Sequence, residues 1–128
     1  MPYQIFVVED HLIMREAYVA ILAAEPGLEL CGVAASAEEA LERLVGLACD
    51  LVVTDYRLPG LNGAELIRRL HAVRPELPAI VVSAHQDEAF VTAAREAGAS
   101  AVLGKRDLVG TFGPTIEAVL AARHRAAA

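Results

Sequence analysis

Five side chains in this 128-residue sequence could do chemistry together if the fold brought them to one place: Glu9, Asp10, Asp55, Ser83 and Lys105. Three are acids, one is a hydroxyl and one an ammonium. Two carboxylates about 4 Å apart repel by about 4 kcal/mol at an effective dielectric of about 20. Such a cluster either holds protons more tightly or draws in a cation. Oxygen ligands with room for water suit Mg²⁺, which takes one or two carboxylates and keeps several waters. Phosphoryl transfer calls for a metal and a lysine to spread charge over the equatorial oxygens, and for an in-line nucleophile. A carboxylate can be that nucleophile, giving an acyl phosphate. Each residue also has a plainer use. Asp10 could cap a helix, Asp55 could cap the turn after it, Ser83 could end a strand and Lys105 could be surface charge.

The elements that would position these residues are legible from periodicity. Five short, almost continuously apolar runs read as strands buried on both faces of a parallel sheet: Gln4–Val8, Leu28–Val33, Asp50–Thr54, Ala79–Ser83 and Ala99–Leu103. Amphipathic stretches lie between them. The first places Leu12, Ala17, Ile21 and Leu22 on or near one stripe and stops at Pro26-Gly27. The second opens on a capping-box pattern, Ser36 with Glu39, and carries Leu41, Leu44, Val45 and Ala48. The third opens at Asn62 and carries Leu66, Ile67, Leu70 and Val73 before Pro75. The fourth runs from about Asp87-Glu88 to Gly98, a C′ glycine. Gly110, Gly113 and Pro114 argue against a helix directly after Lys105, so the fifth is expected from about Pro114, with Ile116, Val119 and Leu120 facing the core. Residues 125–128 are expected to fray or to begin a linker, leaving residues 1–124 as one domain.

Strand and helix alternating five times imply an α/β fold, a parallel sheet with right-handed crossovers and helices on both faces. Ligands in such sheets bind at the carboxyl ends of the strands. Glu9 and Asp10 follow the first strand, Asp55 the third and Lys105 the fifth, while Ser83 ends the fourth. All five chemical residues thus fall on one rim.

Composition narrows the function classes. With 55% hydrophobic and 22% charged residues the chain has the apolar content to fold. Its apolar runs, such as Ala79-Ile80-Val81-Val82, fall far short of the roughly 18 residues of a spanning helix. No signal peptide is read at the N-terminus, and the expected compartment is the cytoplasm. Cys31 and Cys49 lack the pattern of a disulfide framework or a zinc site and read as small core residues. Seventeen acids against eleven Lys and Arg give a net charge of −6, which disfavours nucleic acid. The basic clusters Arg68-Arg69 and Arg123-His124-Arg125 fall late in helices, where cations suit the dipole.

The residues resemble a known family. Val7-Val8-Glu9-Asp10-His11, the run Asp50 to Gly63 containing Thr54-Asp55-Tyr56-Arg57-Leu58-Pro59-Gly60, Ile80-Val81-Val82-Ser83-Ala84-His85, and Ala97-Gly98-Ala99 leading to Lys105 are similar to response-regulator receiver domains of two-component signalling. The likeness spans about Gln4 to Leu120, and the run around Asp55 is its most specific part. Glu-Asp-His at the start, the Arg15-Glu16 pair and Lys105-Arg106-Asp107 without proline most resemble the LuxR/NarL-like branch. The resemblance implies a flavodoxin-like (βα)5 doubly wound fold with strand order 2-1-3-4-5. It implies Asp55 as phospho-acceptor, with Mg²⁺ held by Glu9 (directly or through water), Asp10, Asp55 and the Arg57 backbone carbonyl. Ser83 and Lys105 would bind the phosphoryl oxygens, and Pro59-Gly60 would shape the loop beside Asp55.

The implied donor is a sensor histidine kinase, a phosphotransfer protein or a small acyl phosphate. The implied readout is a surface of the fourth helix, fifth strand and fifth helix, with transcription regulated through an output domain beyond these residues, and with a homodimer on phosphorylation left open. No membrane contact and no direct nucleic-acid contact are expected, and no conventional enzyme activity beyond self-phosphorylation and slow autodephosphorylation. The sequence departs from many receivers at Glu9, where aspartate is common, and at Val102 and Leu103, where a switch aromatic is common. Arg106 replaces a frequent proline, so no cis peptide is expected there. His85 and Arg57 flank the site, and His11 reads as a polar surface group. Other readings are an aspartate-nucleophile phosphatase, a nucleotide or flavin module, and a phosphorylation-independent pseudo-receiver. Asp10 followed by His11 and Leu12 disfavours the first, and an acidic first loop disfavours the second.

Overall fold

A computed structural model describes residues 2–84 and 88–127, the side chains of Asp107 and of residues 124–127 excepted. His85 and Asp87 lie outside the described residues. The elements run β1 (Tyr3–Val8), α1 (Leu12–Ala23), β2 (Leu28–Ala34), α2 (Ala37–Leu44), β3 (Leu51–Asp55), α3 (Gly63–Val73), β4 (Ala79–Ser83), α4 (Glu88–Ala97), β5 (Ala101–Gly104), a 3₁₀ turn (Lys105–Asp107) and α5 (Leu108–Ala127). The five strands are parallel in the order β2-β1-β3-β4-β5. The sequence expectation of strand order 2-1-3-4-5 holds. The chain leaves β1 toward β2 on one side and returns to β3 on the other, so the crevice between β1 and β3 opens where Glu9, Asp10 and Asp55 stand.

Alternating strand side chains feed two apolar layers. Phe6, Val8, Val52, Ala79 and Val81 pack beneath α2, α3 and α4, meeting Ala40, Leu44, Leu66, Ile67, Leu70 and Ala94. Ile5, Val7, Leu51, Val53, Ile80 and Val82 pack beneath α1 and α5, meeting Tyr18, Leu22, Phe112 and Ile116. Each fully buried apolar side chain stabilises the fold by about 1.5–3 kcal/mol, and β3 and β4 carry no polar residue until their carboxyl ends. Two helix starts are capped as their sequences predict. Ser36 Oγ accepts the Glu39 N–H at 3.1 Å and Asn62 Oδ1 accepts the Glu65 N–H at 2.9 Å. Gly98 ends α4 with φ +112°, the conformation that favours glycine at C′.

Several expectations need correction. The fifth helix begins at Leu108 and runs through Pro114. Leu108, Phe112, Ile116 and Leu120 recur every four residues and are buried. A buried Phe is worth about 3–5 kcal/mol, against about 3 kcal/mol for an interior proline. Burial of Leu108 and Phe112 together therefore outweighs Pro114, and Gly110, four residues earlier, carries no Cβ. Helix α5 is described through Ala127. In α1 the buried stripe is Tyr18 and Leu22, while Leu12 is 62% exposed. Val45 and Ala48 lie past the end of α2, and Val73 at the end of α3 is exposed. β5 starts two residues later than predicted. Both cysteines are free, Cys49 buried and Cys31 half-buried in the same apolar layer. Among the described residues no peptide bond is cis.

Candidate functional site

The rim forms from strand ends. Glu9 follows β1 and is fully buried. Its N–H donates to Ala34 O at 2.9 Å, which pins the chain to β2 where it leaves the sheet. Asp55 closes β3 and is 4% exposed. Ser83 closes β4, is buried, and pairs in register with Gly104. Lys105 follows β5 on the 3₁₀ turn. Its Nζ lies 3.0 Å from Asp55 Oδ2 and 3.2 Å from Glu9 Oε1. Residues 9, 55 and 105, remote in sequence, thus share one ammonium.

None of the acids is the N-cap of α1 or α3. The N-cap of α1 is His11, without a side-chain cap bond, and that of α3 is Asn62. Asp55 Oδ1 accepts only a local turn bond, from the Arg57 N–H at 3.3 Å, among its described contacts. Asp10 Oδ1 and Glu9 Oε1 are buried atoms, the first facing His11 Nδ1 at 3.3 Å and the second facing the Lys105 ammonium. Burial first, and then the Asp55 charge, push the Glu9 carboxyl above the usual carboxylate range, against the pull of Lys105. Burial weighs against the Lys105 ammonium, yet the hydrogen bond and charge of Asp55, then Glu9, hold its proton more tightly than usual. Glu9, Asp10, His11 and Asp55 each offer a ligand atom, all within 4.8 Å of one another. Three crowded carboxylates that share one ammonium fit a hard divalent cation.

Three features escaped sequence reasoning. The His11 ring reaches the acids, with Nδ1 3.3 Å from both Glu9 Oε2 and Asp10 Oδ1, although the side chain is 69% exposed. Tyr56, next to Asp55, packs on Phe90 of α4 with ring centroids 4.8 Å apart, and Arg57 lies over the same ring at 5.3 Å. The available signal was an aromatic directly after Asp55 and another in the first turn of the fourth helix. Tyr18 of α1 packs on Phe112 at 5.6 Å and keeps a buried hydroxyl without a hydrogen-bond partner. Burial, then the charges of Glu9 and Asp55, push that hydroxyl's pKa upward. Among the described residues of the basic clusters, Arg68, Arg69 and Arg123 have partners within the fold. Arg68 and Arg69 pair with Glu65, and Arg123 Nη1 donates to Asp50 O at 2.9 Å.

The family described as response regulator receiver domain matches this chain over residues 5–108. The chain belongs to that family. The receiver is 35% identical over 102 residues to the transcriptional regulatory protein DegU of Brevibacillus brevis, covering 80% of this chain and 43% of the relative. It is 41% identical over 105 residues to a protein-glutamate methylesterase/protein-glutamine glutaminase of Syntrophus aciditrophicus, covering 80% of this chain and 30% of the relative. A LuxR-family two-component response regulator from Aurantimonas superposes with a TM-score of 0.91 at 34% identity, covering 96% of this chain and 88% of that one. The likeness to the LuxR/NarL-like branch holds. The receiver spans less than half the length of these two curated relatives. No described helix is long and apolar enough to cross a membrane.

Proposed function

We propose that this receiver accepts a phosphoryl group on Asp55 from a sensor histidine kinase, a phosphotransfer protein or a small acyl phosphate. The observation that carries the reading is the shared ammonium: Lys105 Nζ within 3.2 Å of both Asp55 and the buried Glu9. Such a site is neutralised on one side and acid-rich on the other, and it holds its nucleophile at the end of a rigid central strand. An Asp55 carboxylate oxygen attacks phosphorus, and the phosphorus–nitrogen bond of a phosphohistidine (or the phosphorus–oxygen bond of an acyl phosphate) breaks. The donor's imidazole or carboxylate leaves with the electron pair. Glu9, Asp10, Asp55 and the Arg57 carbonyl would hold Mg²⁺, which when bound supplies charge to the transferring oxygens. Lys105 stays with the phosphoryl group and Ser83 donates its hydroxyl to it.

The added charge of about −1.5 to −2 biases a two-state surface of α4, β5 and α5. The Tyr56–Phe90 contact supplies a route to α4 that does not need an aromatic at Val102. The readout is transcription regulation through an output domain, with a kinase as upstream partner, a homodimer on phosphorylation, no DNA contact by the receiver itself and a cytoplasmic setting. No conventional turnover is expected beyond slow autodephosphorylation. A pseudo-receiver signalling by contact is the second reading, favoured by Val102. Beryllofluoride, a phosphoryl mimic, tests the two with Mg²⁺ present. The receiver reading expects amide resonances of α4 and β5 to shift in wild type and not in Asp55→Asn. No shift in a Mg²⁺-binding wild type would favour the pseudo-receiver.

A further inference from the structure

We infer that Cys31 and Cys49 form a reversible redox pair: a hydroperoxide oxidises Cys31, and Cys49 then closes a disulfide with it. The phosphoryl chemistry of the carboxyl-end rim makes no use of either thiol. Both side chains belong to the apolar layer beneath α2, α3 and α4. Cys31 is half-buried and Cys49 is 7% exposed. The pairing of β1 with β2 steps from Ile5–Leu30 to Phe6–Gly32, so Cys31 is the extra residue of a bulge on an edge strand of the sheet. Cys49 lies just before β3. Neither cysteine is held by a ladder pairing, which leaves both backbones free to adopt the separation that a disulfide needs.

The two thiols are not equivalent. The Cys49 S–H faces Leu51 O at 3.3 Å, Gln4 O at 3.8 Å and the Cys31 sulfur. Its hydrogen bond to Cys31 outweighs burial and holds the Cys31 thiol below its usual range. The same contact, and then burial, push the Cys49 thiol upward. Arg43 adds positive charge, with Nη2 3.1 Å from where a Cβ on Gly32 would stand, beside Cys31, while Asp50 opposes it. The thiolate is the nucleophile, so Cys31 is both the readier thiol and the one that solvent reaches. Its sulfur attacks one oxygen of hydrogen peroxide, the O–O bond breaks, and hydroxide leaves with the electron pair and takes up a proton as water. The sulfur is oxidised to a sulfenic acid and the peroxide is reduced. The Cys49 sulfur then attacks the sulfenic sulfur and the S–O bond breaks. Hydroxide leaves and takes the Cys49 proton as a second water. Two thiols and one peroxide thus give one disulfide and two waters, and a dithiol reductant restores the thiols by exchange.

Treatment of the reduced full chain with hydrogen peroxide, in the presence of a chelator, followed by intact mass and peptide mapping, tests this in wild type, Cys31→Ser and Cys49→Ser. The expected wild-type result is a loss of about 2 Da, reversed by a dithiol reductant, with the Cys31 and Cys49 peptides joined within one chain. Cys49→Ser stops at a gain of about 16 Da on Cys31, which dimedone traps. Cys31→Ser slows thiol oxidation by about tenfold or more. Wild type alone decides the matter where a variant fails to fold: at neutral pH the disulfide forms about tenfold faster in the folded chain than in urea, where the placement of the two thiols is lost. Oxygen gained at Cys31 or at Met14 without a link between the cysteines in wild type, or a link between chains only, overturns the inference. So does a folded chain that oxidises no faster than the unfolded one, or a Cys31→Ser protein oxidised as fast as wild type.

Discussion

Gly63 links the fold to the site most directly, and Gly63→Ala tests that link. A Cβ at Gly63 would lie 2.4 Å from Asp55 O, 3.1 Å from Tyr56 Cα and 3.2 Å from Asp55 C. The nearest approach is about 1 Å short of ordinary contact, and every atom it meets is backbone. Nothing can rotate aside. Relief requires the start of α3 to back away from the end of β3, where Asp55 is displayed. Overpacking of this kind costs about 1–3 kcal/mol. Backing away also stretches the Gly63 N–H bond to Tyr56 O, now 2.7 Å, worth about 1 kcal/mol. The expected loss is about 2–4 kcal/mol, read from urea unfolding at fixed Mg²⁺. Mg²⁺ affinity falls with it, because the Asp55 carboxylate moves with its carbonyl. Gly110→Ala is the control: a Cβ there meets nothing within 4 Å in mid-helix, and the gain expected is about 0.5–1 kcal/mol. A Gly63→Ala protein as stable as wild type, with unchanged Mg²⁺ affinity, would refute the reasoning.

Glu9→Gln should stabilise the metal-free protein near neutral pH while weakening Mg²⁺ binding. The Glu9 pKa is raised above its ordinary 4.5, so the folded state binds that proton more tightly. Its contribution to stability is therefore lost as pH rises from about 4.5 through the folded value, and unfolding at a series of pH values should show that slope shrink in the variant. Tyr18→Phe removes a buried hydroxyl with no partner and should be neutral or stabilising by about 1 kcal/mol, whereas Tyr18→Ala empties a packed position and should cost about 3–5 kcal/mol by thermal or urea unfolding. Pro114→Ala should raise stability by about 1–3 kcal/mol, since it returns a donor to the Gly110 carbonyl. Amide exchange in the first turns of α5 should slow accordingly.

The sheet was legible because its inner strands β3 and β4 are buried throughout and read as apolar runs up to their carboxyl ends. The rim followed once each strand end was taken as a site position. α5 was misread because local breakers were weighed without the core: Leu108 and Phe112 show their worth only beside Ile5 and Val53. Leu12 and Val45 were misplaced for the same reason, since periodicity gives a helix face but not where the sheet beneath it ends. The shared ammonium of Lys105 was legible as convergence and not as contact. His11 and the Tyr56–Phe90 pair were invisible as partners, because one depends on a ring rotation and the other joins residues 34 apart.

The central claim is that Asp55 carries the phosphoryl group. Incubation with acetyl phosphate, with and without Mg²⁺, followed by intact mass, tests it beside Asp55→Asn. The account predicts one added phosphoryl group, dependent on Mg²⁺, stable to acid, labile to base and absent from the variant. A phosphoryl group retained in Asp55→Asn, or none in a folded wild type that binds Mg²⁺ and is offered both acyl phosphate and phosphohistidine donors, would contradict it.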